Sequence, residues 1–171
     1  GPSNLVGLVR HRASHQPDEI AFTYLVDGES QQVHVTNEEL DRQARAIGAW
    51  LETHGLVGSR ALLLYPPGLE FIFAFFGCLY AGVAAVPVSP PRRNRSLSRI
   101  RAIAEDAQAE VALTTDAVLQ RVGSLIEETP GLKELTWLAT CQVPEGMDAR
   151  WQMPDVHGDT LAFLQYTSGS T

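Results

Sequence analysis

Lysine is nearly missing from this chain: Lys133 is the only one among thirteen basic residues in 171 positions. Phosphate sites often use a lysine, and the glycine spacing and lysine of a Walker A loop are both absent, so a P-loop nucleotidase of that kind is excluded. Cysteine is scarce too. Cys78 and Cys141 share neither metal-ligand nor redox spacing, which removes zinc-knuckle and thioredoxin-like readings and fits a reducing cytoplasm. Cys78 is expected to be a buried, inert thiol. No apolar run is long enough to cross a membrane, which takes about 20 residues. The longest, 71–88, is broken by Gly77, Gly82 and Pro87 and reads as a buried helix followed by a buried strand. Positive charge is short, with a net charge of −7, so no nucleic-acid footprint is expected. There is no signal-peptide pattern, no internal repeat and no low-complexity tract, and a cytoplasmic protein is expected. Gly1 and Pro2 read as the remnant of a cleaved expression tag.

What is present suits one soluble domain or most of one: 44% hydrophobic and 19% charged residues. Asn4 is expected to cap a first helix that presents Leu5, Leu8, Val9 and Ala13 on one face and stops at Pro17. "IAFTYLV" (20–26) and "QQVHVT" (31–36) read as an antiparallel hairpin around Asp27-Gly28. Thr36 with Glu39 makes a capping-box pattern, and Leu40, Ala44, Ile47 and Leu51 then fall on one helical face, with Gly55 as the stop. "RALLLY" (60–65) is the continuous apolar kind of strand that is buried on both faces. Pro66-Pro67-Gly68 turns the chain into a helix over 70–81, and "VAAVPV" (83–88) follows as a strand. A helix over 97–107, a strand over 111–115, a helix through 126 capped by Asp116, and a strand over 135–139 complete the pattern. Residues 142–159 read as a loop, and 161–165 as a last strand. Strands alternate with helices from residue 36 onward. The fold class is therefore α/β, with a mostly parallel sheet flanked by helices and an N-terminal β-hairpin, and with no internal domain boundary.

Four groups of residues invite a chemical reading. "YTSGST" (166–171) leaves the expected last strand with hydroxyls that can donate to phosphate oxygens and a glycine that lets backbone N–H groups approach, though a plain polar turn has the same composition. Arg92, Arg93, Arg95, Arg99 and Arg101 crowd into ten positions, suiting an anionic partner or a solvated face with Glu105 as a helical pair for Arg101. His11 and His15 have i,i+4 spacing but no third ligand nearby, and a surface pair is expected. Phe71, Phe73, Phe75, Phe76 and Tyr80 form a stripe that belongs in the core more readily than along an acyl tunnel. Asp18-Glu19 and Glu127-Glu128 read as exposed charge.

"LAFLQYTSGST" (161–171) closely resembles the start of the phosphate-binding loop of the adenylate-forming superfamily of acyl-CoA synthetases, adenylation domains and luciferases. "FAFFGCLYAGVAAVPVSPP" (73–91) resembles the helix–strand segment of that family, with Ala81-Gly82 leading to Val86-Pro87. The segment "TNEELDRQARAIGAWLETHGLVGSRALLL" resembles its early helix–strand unit. Within the superfamily, Ser170, "CLYAGV" and the double proline at 90 and 91 look most like a fatty acyl-AMP ligase. Acyl-CoA ligases and amino-acid adenylation domains are the alternatives, and a non-catalytic α/β interaction module is a third. The resemblance implies that 3–171 is part of an N-terminal AMP-binding domain that reaches into the phosphate-binding loop. It implies ATP and Mg²⁺ as the reactive partners, a fatty acid as substrate, and transfer of the acyl group to the phosphopantetheine of an acyl carrier protein. By the same resemblance Thr167, Ser168, Gly169, Ser170 and Thr171 would line the triphosphate path. The family's loop usually continues with glycine, a variable residue, proline, lysine and glycine. These catalytic parts are expected beyond Thr171, so the 171 residues alone are expected not to turn over.

Overall fold

The computed structural model describes residues 4–26, 31–91 and 97–154. Helix α1 (Leu5–His15) starts where Asn4 Oδ1 accepts the Gly7 N–H at 2.7 Å and ends before Pro17. Its buried face carries Val6 and Val9, whereas Leu5 is 45% exposed. The spacing had put Leu5 inward. The helix, however, rests on its neighbours through only a narrow stripe centred on Val6 and Val9. Strands β1 (Ile20–Val26) and β2 (Gln31–Thr36) pair antiparallel, as expected, with an irregularity between Ile20 and Phe22.

Helix α2 (Asn37–Thr53) begins with the Thr36 hydroxyl accepting the Glu39 N–H at 3.1 Å. Only half of the expected capping box forms, because the Glu39 carboxylate turns to Arg42 and Gln43. Gly55, at φ 70°, follows the last turn in the left-handed conformation that glycine adopts without strain. Then β3 (Arg60–Leu64), α3 (Leu69–Ala81), β4 (Ala84–Val88), α4 (Ser98–Ala107), β5 (Val111–Thr114), α5 (Asp116–Glu127) and β6 (Thr136–Ala139) alternate. Thr115 caps α5, its hydroxyl accepting the Val118 N–H, in place of the expected Asp116. Asp116 sits one residue inside and accepts from Gln120 instead. The expected loop over 142–159 holds a short 3₁₀ turn at Met147–Arg150 among its described residues, and a second, Thr140–Gln142, leads into it.

The four strands β4-β3-β5-β6 form one parallel sheet. Its two faces bury two apolar layers. Leu62, Leu64, Val86 and Ala112 meet α4 and α5 on one side. Ala61, Leu63, Ala85 and Leu113 meet α2 and α3 on the other. A third cluster lies outside the α2–α3 layer, where α1 and the hairpin cover Leu40, Ala44, Phe76 and Tyr80. Helices α2 and α3 approach closely because Gly77 has no side chain: a Cβ there would stand 2.6 Å from Ile47 Cβ. The phenylalanines of α3 fill this interior, with Phe75 edge-on to Phe76 at 5.4 Å.

Candidate functional site

The sheet fixes where a ligand can sit. From β3 the chain passes to β4 on one side, then returns by α4 to β5 on the other side. The connections leave β3 and β5 in opposite directions, and the crevice between their carboxyl ends is the usual binding position in open α/β sheets. Four segments emerge at that edge: Tyr65-Pro66-Pro67-Gly68 after β3, Ser89-Pro90-Pro91 after β4, Thr115 after β5, and Thr140-Cys141 after β6.

Hydroxyls dominate the edge. Tyr65 is buried, and its hydroxyl lies 2.9 Å from Thr140 Oγ1, spanning the end of β5 that runs between them. Burial pushes the Tyr65 hydroxyl well above the ordinary tyrosine range, more than the Thr140 hydrogen bond lowers it, so it stays a neutral donor and acceptor. Thr114 Oγ1 donates to the Leu64 carbonyl at 2.6 Å, pinning β5 to β3 at the lip of the crevice. Arg121 donates to the Pro91 carbonyl at 3.1 Å and holds the exit from β4. Tyr24, from the hairpin, donates to the Pro67 carbonyl at 3.2 Å. The amino ends of α3 and α5 also open here, and helix amino ends favour anions. Neutral donors and helix amino ends together suit phosphate oxygens.

A second polar assembly lies between α1, α2 and α3. Asp41 is 3% exposed. Its Oδ2 accepts from Arg10 and from Arg45, each at 2.9 Å, and its Oδ1 accepts from the Tyr80 hydroxyl at 2.7 Å. Burial, reinforced by that bond to Asp41, raises the Tyr80 hydroxyl above its ordinary range. Trp151 closes the assembly: its indole N–H donates to the Tyr80 carbonyl at 2.8 Å, and the Arg10 guanidinium lies 5.1 Å from its ring centre. Arg45 also donates to the Asp148 carbonyl. The network ties the Met147–Arg150 turn to the helices.

Thr167, Ser168, Gly169, Ser170 and Thr171 lie outside the described residues, as do Arg92, Arg93 and Arg95. Arg101 pairs with Glu105 at 3.0 Å, the solvated-face arrangement its spacing predicts. His11 and His15 stack at 4.0 Å, and no group of three metal-ligating side chains forms among the described residues. Cys78 is fully buried and its thiol is pushed up to about 12 by desolvation; Cys141 is exposed. Sequence reasoning missed Tyr65, Thr140 and Asp41. Tyr65 had a signal, a polar-tipped residue closing an apolar strand before Pro-Pro-Gly. Asp41 had only its helical i,i+4 spacing to Arg45, because its other two partners, Arg10 and Tyr80, come from α1 and α3.

A profile of the AMP-binding enzyme family matches residues 9–171. The chain belongs to that family. Within it, this AMP-binding chain is 44% identical, over 99% of its length, to the medium-chain-fatty-acid–[acyl-carrier-protein] ligase JamA of Moorena producens, of which it covers 29%. It is 34% identical over 98% of its length to the long-chain-fatty-acid–AMP ligase FadD23 of Mycobacterium tuberculosis, again covering 29%. The fold matches a fatty acyl-adenylate ligase from L. pneumophila, solved in complex with acyl adenylate and pyrophosphate, at a TM-score of 0.85 and 36% identity. That match covers 98% of this chain and 28% of the other. The chain thus spans less than a third of the length of the curated relatives it matches. No helix among the described residues is long and apolar enough to cross a membrane.

Proposed function

We propose that this chain forms part of a fatty acyl-AMP ligase. Such an enzyme joins a fatty acid carboxylate to the α-phosphate of ATP, releases pyrophosphate, and passes the acyl group to the phosphopantetheine thiol of an acyl carrier protein. The observation that carries this reading is the likeness to the L. pneumophila fatty acyl-adenylate ligase in both shape and sequence across nearly the whole chain.

The donor set fits the nucleotide. Charge builds on phosphate oxygens as the carboxylate attacks, and preorganised N–H and O–H donors offset it without reorganising. The described residues supply a scaffold of that kind at the carboxyl edge: the neutral Tyr65 and Thr140 hydroxyls and the amino ends of α3 and α5. In this reading Thr167 and Ser170 donate hydroxyls to the triphosphate, Ser168 and Thr171 line its path, and Gly169 allows the closest backbone approach. Mg²⁺ would supply charge neutralisation at the phosphates. The single lysine, Lys133, lies in the turn before β6, at the amino end of the strand and away from the candidate edge. Lys133 therefore does not serve the phosphates in this reading.

The test uses a longer protein that contains this chain. Fatty-acid-dependent ATP–pyrophosphate exchange is expected; exchange supported by an amino acid and by no fatty acid overturns the reading. Offering the acyl-AMP formed both CoA and a holo carrier protein separates the ligases, and rapid acyl-CoA formation would move the assignment to an acyl-CoA ligase. Thr167→Ala and Ser170→Ala are each expected to lower exchange about 10²-fold, the scale of losing one donor to a developing charge, while leaving the urea midpoint unchanged.

A further inference from the structure

The last turns of α1 carry two imidazoles for which the candidate edge has no use. His11 and His15 stand i,i+4 on one side of the helix, both exposed, with ring centres 4.0 Å apart and planes 26° from parallel. The His15 ring is held in one tautomer. Its Nδ1 lies 3.0 Å from the His11 carbonyl, which can only accept, so Nδ1 carries the hydrogen and Nε2 keeps its lone pair. The Ser14 hydroxyl, 3.0 Å from the same Nδ1, is left to accept. A ring N–H tied to a backbone carbonyl is how metal-bound histidine is commonly oriented. The ring separation agrees with a shared ion: two nitrogens about 2.0–2.1 Å from one metal stand about 3 Å apart. His15 is also the last residue of α1, where the helix dipole favours positive charge. His54, at the end of α2, is the internal comparison. Its Nδ1 lies 2.9 Å from the Trp50 carbonyl in the same way, but its ring meets the Trp50 indole edge-on and not a second imidazole.

We propose that His11 and His15 chelate a borderline divalent transition ion, of the Ni²⁺, Cu²⁺ or Zn²⁺ kind, at the carboxyl end of α1. Imidazole nitrogens select that class over Mg²⁺ and Ca²⁺, which take oxygen ligands. With two protein ligands the ion keeps water at its remaining positions, so the site is an exchangeable surface chelate and not a closed structural centre. Arg12, exposed on the same turn, opposes the added charge and lowers the affinity. Helix α1 lies outside the α2–α3 layer, so those helices stand between this site and the sheet edge. The proposal does not depend on the ligase reading.

Ni²⁺ titration by calorimetry, in the Cys141→Ser chain because the exposed thiol is a competing ligand, tests it. One ion per chain is expected at the pair. His11→Gln and His15→Gln should each weaken it about tenfold to a hundredfold, since the second imidazole binds intramolecularly. His54→Gln should leave it unchanged, and Arg12→Gln should tighten it about two- to threefold, the scale of an exposed charge interaction. Cu²⁺ should bind more tightly than Ni²⁺, and Mg²⁺ should not compete. All four substituted side chains are exposed, so metal-free urea midpoints should match the parent. Two readings need no variant. Ni²⁺ should broaden amide signals around His11 to Gln16, and imidazole nitrogen spectra without metal should show His15 protonated at Nδ1. Affinity equal in the parent and both histidine variants, an equal loss in His54→Gln, broadening centred on the chain's amino terminus, or a His15 ring protonated at Nε2 would each overturn the proposal. Failure of fatty-acid-dependent exchange in the longer protein would remove the ligase reading and leave this site untouched.

Discussion

Asp41 is where three helices meet, and its environment decides what a change there costs. Its carboxylate receives two arginines and a tyrosine hydroxyl while almost wholly buried. Removing one member of a buried ionic group typically costs about 3–5 kcal/mol, because the partners are left uncompensated. Here Arg10 is 43% exposed and can rehydrate, so Asp41→Ala is expected to cost less, about 2–3 kcal/mol in urea unfolding. Tyr80→Phe should cost about 1–2 kcal/mol, and the double variant less than the two added together, since both remove the same hydrogen bond. The thiols give a simpler check. Cys141 is exposed and Cys78 is fully buried with a raised thiol, so one equivalent should react promptly with a disulfide reagent and the second only on unfolding. Cys141→Ser is expected to abolish the prompt phase.

At the scale of elements, the α2–α3 contact rests on a missing side chain. Gly77→Ala would drive a methyl into Ile47, and about 1–3 kcal/mol of destabilisation is expected from such overpacking. Gly123 in α5 is the control: nothing lies within 4 Å of its absent Cβ. Gly123→Ala is therefore expected to stabilise by about 0.5–1 kcal/mol through helix propensity alone. Thermal or urea midpoints for the pair should move in opposite directions. Much of this level was legible in the sequence. The 3.6-residue spacing of Leu40, Ala44, Ile47 and Leu51 gave the inner face of α2 correctly, and all four are buried. Asn37, Asp41 and Gly48 are buried as well, because α2 is packed on two sides, by α3 and by α1. A pattern along one helix shows which side is apolar; it does not show that a second helix covers a polar side. The cap of α5 shifted by one residue for a similar reason. Aspartate is the better cap in isolation, but the strand geometry put Thr115 at the boundary.

For the whole molecule, the alternation of strands and helices indicated a parallel sheet, but the order β4-β3-β5-β6 was not readable, because the four strands are all short and apolar. The crevice between β3 and β5 follows from that order, so the Tyr65–Thr140 pairing, which joins residues 75 apart, was out of reach as well. The buried hydroxyls and thiol give the folded state a shared alkaline weakness. Cys78 rises from 9.0 to about 12, and Tyr65 and Tyr80 are also raised. Over that range the folded chain holds protons that the unfolded chain has lost, so stability falls as pH rises. On the alkaline side, stability is expected to decline from about pH 9 toward pH 12, read as urea midpoints at pH 8 and 10.5; Cys78→Ala should remove the earliest part of the decline. The scarcity of lysine has a last, practical consequence. Lys133 is exposed and is the only side-chain amine, in the turn at the amino end of β6, while the candidate edge lies at the carboxyl end. Apart from the terminal amino group, an amine-reactive surface has one place to grip. A molecule tethered there would stand with its ligand-facing edge turned toward the solution.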